Sequence, residues 1–376
     1  MDRFIPVNTP LISEGNEKKY VNECLDTGWI SSEGPFVNRF EKEFAASVDR
    51  QFAVAVSNGS TALDAAMIAL DVNEGDEVLM PSFTIISCAS AIIRAGGTPV
   101  YIDCDPLTFN MNPDLIEAQI TNKTKAIMVV HIYGMPCDMS PIMEIANRRN
   151  LKIIEDAAEV HGQTYKDSKC GSFGDVSTFS FYPNKHITTG EGGMIVTDSE
   201  TIYEKCKKLR NLYFEPPLRF VHKRLGYNFR MSNIQAALGV AQLERLEQHI
   251  EIKRKIGRLY DEYLKDVKEI QLPVPSLNFA DNIYWVYSIV LDKSLGFDAQ
   301  KLIKDLSEFG IGTRPFFYPM HKQPVLLEKG FNRNSENCPV SEHVHKYGLY
   351  LPSGLGLKES EIERVSSVLR KIIIGE

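Results

Sequence analysis

The sequence predicts an α/β protein with a large domain on a mostly parallel sheet, followed by a smaller C-terminal α+β domain. Three observations predict it. Between residues 50 and 200, short apolar runs rich in β-branched residues alternate with longer stretches of helical periodicity, as in a sheet covered by crossover helices. A long helical stretch then begins at residue 233, and beyond it the texture changes. The 376 residues, 43% of them hydrophobic, suffice for two or three domains at roughly 100–200 residues each.

In chain order, strands are expected at 52–56, 77–80, 100–103, 126–131, 152–155, 177–181 and 194–197. Helical stretches at 61–70, 87–95 and 141–149 lie between them, several opening on a Ser, Thr or Asp of N-cap type. The long helix is expected over 233–264. After it come an alternating run at 284–291, a helix near 299–309 and a closing amphipathic segment at 359–374. We divide the chain into a large domain, 1–250, and a small one, 251–376. No internal repeat or Gly/Ser-rich linker separates them, so they are expected to pack together.

Composition narrows the function. The 42 Lys and Arg against 49 Asp and Glu give a net charge of −7 with no basic half, so no nucleic-acid partner is expected. No run approaches ~18 uninterrupted apolar residues, and the first residues lack the basic and apolar regions of a signal peptide. A cytoplasmic protein without a membrane partner is expected. The 7 cysteines are scattered and form no Cys-x-x-Cys pair, so they read as reduced structural thiols. The 8 histidines show no His-Glu-x-x-His or paired ligand spacing, so no metal is expected and a metal-dependent hydrolase loses its support.

Three segments carry chemistry. In Val56-Ser57-Asn58-Gly59-Ser60-Thr61, a strand breaks at a glycine and restarts as a helix. Its free backbone N–H groups and helix dipole suit a phosphate at Gly59 and Ser60, although an ordinary Ser or Thr N-cap has the same pattern. There is no Walker loop and no Gly-x-Gly-x-x-Gly fingerprint, which removes the main support for nucleoside triphosphates and dinucleotides. In Ile153-Ile154-Glu155-Asp156-Ala157-Ala158-Glu159, an apolar strand ends in acids. Ligands of open α/β sheets lie beyond the carboxyl ends of strands, which puts Asp156 where a catalytic carboxylate belongs, with a helix cap as the alternative. A pyridoxal cofactor needs such a carboxylate to keep its ring nitrogen protonated. In Phe179-Ser180-Phe181-Tyr182-Pro183-Asn184-Lys185-His186, a lysine follows a buried strand and precedes a Gly-rich loop. Desolvation lowers such an amine from ~10.4 and makes it available as a Schiff-base former and proton carrier.

In order and spacing these segments resemble the sugar aminotransferases of the DegT/DnrJ/EryC1/StrS family, of the fold-type I pyridoxal-phosphate superfamily. The resemblance runs from Gly28-Trp29-Ile30-Ser31-Ser32 to Tyr318-Pro319-Met320-His321. It implies pyridoxal 5'-phosphate as cofactor, with Lys185 as the lysine that holds it and Asp156 as the partner of its ring nitrogen. It further implies that Ser180, with Gly59 and Ser60, binds the phosphate. Asn228 corresponds to an asparagine that reaches the phosphate of the neighbouring subunit, which implies a homodimer with shared sites. Two positions depart from the common pattern: Glu159 stands where relatives carry Gln, and Ile85 where many carry an aromatic on the cofactor ring.

Some members of the family carry histidine at the lysine position and dehydrate sugars; Lys185 implies transamination, with L-glutamate as amino donor. The run Gly310-Ile311-Gly312-Thr313-Arg314-Pro315-Phe316-Phe317-Tyr318-Pro319-Met320-His321 resembles that of perosamine synthases. This implies amination at C4 of GDP-4-keto-6-deoxy-mannose, a step of O-antigen biosynthesis, with UDP- or dTDP-linked keto sugars as the alternative nucleotide-sugar substrates. Arg314 is the candidate diphosphate contact through its planar fork of donors, and Trp29 and His321 are candidate residues of the sugar pocket. A non-catalytic cofactor-binding regulator would not require Lys185.

Overall fold

A computed structural model describes residues 4–215, 217, 220–334 and 336–375. Its centre is a sheet of seven strands: Phe52–Val56 (β1), Glu77–Pro81 (β2), Thr98–Ile102 (β3), Thr124–Val130 (β4), Lys152–Asp156 (β5), Val176–Ser180 (β6) and Gly193–Thr197 (β7). All seven fall where the apolar runs predict strands. Their order is β1-β7-β6-β5-β4-β2-β3, parallel throughout except that β7 runs against both of its neighbours.

Side chains of these strands alternate between two cores. Val54, Val56, Met80, Met128 and Ile154 face one side with helices Gly59–Ala69 (α3), Ile86–Arg94 (α4) and Glu200–Arg210 (α6). Ala53, Ala55, Leu79, Ile127, Val129 and Ile153 face the other, with helices Pro35–Ser47 (α2), Met139–Arg149 (α5) and Asn233–Leu243 (α7). Burial on both faces explains why these strands read as continuous apolar runs.

The expected helix over 233–264 is two helices, α7 and Leu246–Leu264 (α8), broken at Glu244-Arg245. The Glu244 carboxylate accepts hydrogen bonds from Asn16 and Tyr20, both at 2.7 Å, which ties the end of α7 to the N-terminal helix Glu17–Thr27 (α1). α8 then turns toward a second sheet, so the boundary placed near residue 250 falls inside a helix. That sheet is antiparallel, in the order Ile270–Gln271 (β8), Tyr287–Leu291 (β9), Gly348–Leu351 (β11) and Arg314–Pro315 (β10). Its core joins Tyr287 and Ile289 to Tyr260 and Leu264 of α8, Leu302 and Leu306 of Ala299–Glu308 (α9), and Val365 and Leu369 of Glu359–Ile374. The N-terminal segment also reaches it: Ile5 pairs with Ile311, exchanging bonds of 2.9 and 2.8 Å with Gly310 and Gly312.

One polar knot lies inside the large sheet. The Glu155 carboxylate, fully buried, accepts from Gly171 N at 2.5 Å, Phe173 N at 3.0 Å and the Ser177 hydroxyl at 2.8 Å. The backbone N–H of Cys137 donates to His131 Nδ1 at 3.0 Å, which fixes the ring proton on Nε2, where it is donated to Glu155 across 3.0 Å. Both ring nitrogens of His131 are therefore used within the protein, although His131, Glu155 and Cys170 lie close enough together for a metal. Glu155→Ala removes the acceptor of four donors and leaves the buried Gly171 N–H and His131 Nε2–H without one, and we expect urea unfolding to show a loss of about 3 kcal/mol or more.

Candidate active site

Strands β1, β5 and β6 point the same way, so the three chemical segments end at one edge of the sheet. They border a cavity of about 880 Å³ lined by Gly59, Ser60, Ile85, Asp156, Glu159, Thr178, Ser180 and Lys185 among others. At its first end, the cap of α3 is Asn58 rather than a serine or threonine. Its side-chain oxygen accepts from Thr61 N at 2.9 Å. The Ser60 hydroxyl meets that of Ser87 at 2.8 Å, and the N–H groups of Gly59 and Ser60 stay clear of the capping bonds. Gly59 lies against Ser180, where a Cβ would come 2.8 Å from the serine Cβ.

At the other end Asp156 closes β5, almost fully buried, and accepts from Ala158 N at 3.1 Å and from the Cys88 thiol at 3.5 Å. No helix follows it, so it caps none. Burial raises its pKa, while the Ala158 N–H and then the charge of Lys185 act the other way. Glu159 accepts from Tyr133 N at 2.9 Å and lies 3.9 Å from the Lys185 amine. Burial raises it, with Lys185 opposing most strongly. Lys185 sits in a turn closed by its own N–H to Tyr182 O at 2.9 Å, and burial pulls its amine below the ordinary lysine range. The amine lies over the indole of Trp285, 3.8 Å from the ring centroid.

The cavity fits pyridoxal phosphate on its own chemistry. A carboxylate stands at one end, unbonded N–H groups and hydroxyls form a phosphate cradle at the other, and an amine with lowered pKa lies among them. Two buried lining atoms, Thr178 Oγ1 and Asn184 Oδ1, have no hydrogen-bond partner among the described residues. A polar ligand would satisfy them. Ile85 lines the wall, so an aliphatic side chain stands where many relatives have an aromatic.

Sequence reading missed Thr178 as well as Trp285, Phe317 and Tyr350, three residues from the C-terminal part of the chain. Nothing in the local sequence around Trp285 and Tyr350 signals a site, whereas Thr178 and Phe317 lie within or beside runs already singled out. Other expected residues lie elsewhere. Asn228 is exposed and does not line this cavity, though Tyr227 and Phe229 on either side of it do. Trp29 lines a separate cavity of about 810 Å³ with Arg210 and Arg230. Arg314 is exposed on β10 and paired with Tyr350 of β11, which places it beside the rim. His321 requires a correction: it is fully buried, its Nδ1 2.5 Å from the Ser82 hydroxyl and its Nε2 3.1 Å from Glu342. With both nitrogens engaged it fastens the loop after β2 to the helix Pro339–Tyr347, and does not line the cavity.

A model of the DegT/DnrJ/EryC1/StrS aminotransferase family matches residues 12–370. The chain is 43% identical over 362 residues to a GDP-perosamine synthase of Caulobacter vibrioides, covering 96% of each. It is 42% identical over 360 residues to a GDP-perosamine synthase of Escherichia coli O157:H7, again covering 96% of each. Its backbone matches the crystal structure of the aminotransferase TlmJ from Streptoalloteichus hindustanus with a TM-score of 0.90 at 29% identity, over 97% of this chain and 98% of that one. No helix among the described residues is long and apolar enough to cross a membrane. Because the family match takes in every segment that builds the cavity, from Asn58 to Tyr350, the chain belongs to the DegT/DnrJ/EryC1/StrS aminotransferases and takes pyridoxal phosphate as its cofactor.

Proposed function

We propose that the enzyme transfers the amino group of L-glutamate to C4 of GDP-4-keto-6-deoxy-mannose in the cytoplasm, giving a GDP-4-amino-4,6-dideoxy sugar and 2-oxoglutarate. The observation that carries this reading is the similarity, 43% and 42% identical over 96% of each chain, to two GDP-perosamine synthases. When bound, the cofactor supplies an electron sink for the pair left on the substrate carbon. Asp156 holds the proton on the cofactor's ring nitrogen. Gly59, Ser60 and Ser180 hold its phosphate, and Glu159 lies on the side of Lys185. The Lys185 amine carries a proton to and from the substrate carbon, a task for which its lowered pKa suits it. Arg314, at the rim, is the candidate contact for the diphosphate of the sugar nucleotide. Residues 1–250 carry the cofactor and 251–376 form the smaller lobe over it.

The active unit in this reading is a homodimer. Asn228 is exposed beside two residues that line its own chain's cavity, an orientation that suits a contact with the phosphate in the neighbouring subunit. Trp29, outside its own chain's Lys185 cavity, suits the same arrangement.

Three measurements test the proposal. Asp156→Asn should still bind cofactor yet turn over about 10²–10³-fold more slowly, because a neutral amide does not retain the ring proton; near-native turnover rejects the role. Coexpressed Lys185→Ala and Asn228→Ala subunits should recover activity by assembling one intact site per mixed dimer, and mixed dimers that stay inactive place both residues in one subunit's site. Purified enzyme given glutamate and a panel of GDP-, UDP- and dTDP-linked 4-keto sugars should show its highest kcat/KM with the GDP sugar. Preference for another nucleotide removes the GDP assignment and leaves the family intact. In the same panel Arg314→Lys should raise KM for the sugar nucleotide with little effect on the glutamate half-reaction.

A further inference from the structure

Behind the Lys185 cavity, α8 buries a second lysine that the proposed reaction does not use. Lys253 is 1% exposed. Its amine donates to the backbone oxygen of Trp285 at 2.8 Å and to that of Ser353 at 2.5 Å. It forms no ion pair with a carboxylate of the described residues. Burial lowers its pKa to about 7. A neutral amine keeps two N–H donors, the number of carbonyl oxygens that face it, so the site is satisfied without a buried charge.

Trp285 is the residue so held. It is 4% exposed, and its indole N–H donates to the backbone oxygen of Asn184 at 2.7 Å, one residue before the reactive lysine. Its ring face meets the Lys185 amine. A π face over a nitrogen favours the cationic form of that nitrogen. The titratable groups that act on Lys185 are Glu159, Asp156 and Cys88, while His161 and His186 are held neutral by burial above all.

We propose that Lys253 is a positioning residue for transamination: it clamps the backbone of Trp285 from within the small lobe, so that the indole roofs the Lys185 nitrogen and sets that nitrogen's proton affinity. A plain packing role for α8 would not require two directed bonds to carbonyl oxygens at this point. The inference rests on Lys185 as the reacting amine and is independent of which sugar nucleotide is used.

The chain has 2 tryptophans, so Trp29→Phe, used for the fluorescence measurements alone and not for turnover or KM, makes Trp285 the sole indole emitter. In that background Lys253→Met, which keeps length and apolar volume, should red-shift Trp285 emission and raise its acrylamide quenching severalfold in enzyme freed of cofactor. In the loaded enzyme, the pH midpoint of the cofactor's visible band should fall by about half a unit to one unit. Turnover should drop about tenfold or more with KM for the sugar nucleotide little changed. Trp285→Phe should produce the same direction of shift in the midpoint, and the double variant should show no further shift. Lys253→Gln, which keeps a shorter donor, should fall between parent and Lys253→Met. Parental quenching and midpoint in a Lys253 variant that has merely lost thermal stability overturn the proposal, as does failure of both variants to fold. A loaded enzyme without a visible band instead removes the role of Lys185 and leaves the fluorescence result to decide the clamp.

Discussion

The site depends on a close approach of three backbones at the place where the sheet reverses direction. Gly193, the first residue of β7, pairs with Val56 on one side and Ser180 on the other. A Cβ at Gly193 would lie 2.4 Å from the Asn58 carbonyl oxygen and 2.9 Å from the Gly59 nitrogen. No rotamer relieves a clash with backbone, so only glycine lets β1 and its turn settle against β7 at this height. The position of the Gly59-Ser60 turn then follows from strand pairing rather than from loop conformation. Asp156 is fixed by the same device, since β5 pairs with β6 in register, Asp156 opposite Thr178. The separation between the acid and the cradle is set by the sheet, which is a stiffer ruler than any loop.

Electrostatics within this frame favour a ligand that brings its own charge. Burial pushes Asp156 and Glu159 up and Lys185 down, so each is driven toward neutrality; the charge of Lys185 opposes this at both acids and theirs opposes it at Lys185, while Asp156 pushes Glu159 further up. In the proposed reading a protonated ring nitrogen beside Asp156 would give the acid a counter-charge that Cys88 and Ala158 do not supply. The phosphate end carries the opposite requirement, a dianion on N–H groups and hydroxyls at the start of a helix. A cofactor cationic at one end and anionic at the other meets both demands.

The large sheet was legible in the sequence because its strands are buried on both faces and separated by helical periodicity, and the three segments at its edge were legible for the same reason. A residue that follows a strand in sequence also follows it in space, so Asp156, Lys185 and the Gly59 turn could be placed without knowing any long-range contact. Trp285, Tyr350 and Phe317 could not, because what brings them to the cavity is how a second sheet docks. The short strands β8 and β10, 2 residues each, carry too few positions for a period to show. His321 misled for a related reason: Phe317, four residues earlier, lines the cavity, while the ring of His321 is turned toward Ser82 and Glu342. The break between α7 and α8 was hidden because both helices carry an apolar stripe, and a two-residue interruption barely disturbs the period.

The docking of the second sheet rests on directed bonds as much as on apolar contact. Along α8, Lys253 bonds to the carbonyls of Trp285 and Ser353, Tyr260 to that of Pro352 at 2.8 Å, and Asp261 accepts from the hydroxyls of Tyr284 and Tyr287 at 3.0 and 2.7 Å. Apolar surfaces tolerate sliding by an ångström at little cost, whereas a buried carbonyl left without its donor does not. These bonds converge on the segment that carries Trp285 and on the end of β11 that follows Tyr350, the two elements by which the C-terminal part closes the cavity. The large sheet thus fixes the two ends of the cavity, and α8 fixes the height of the roof above the amine. Exposed side chains around the roof can change without disturbing the register of either sheet.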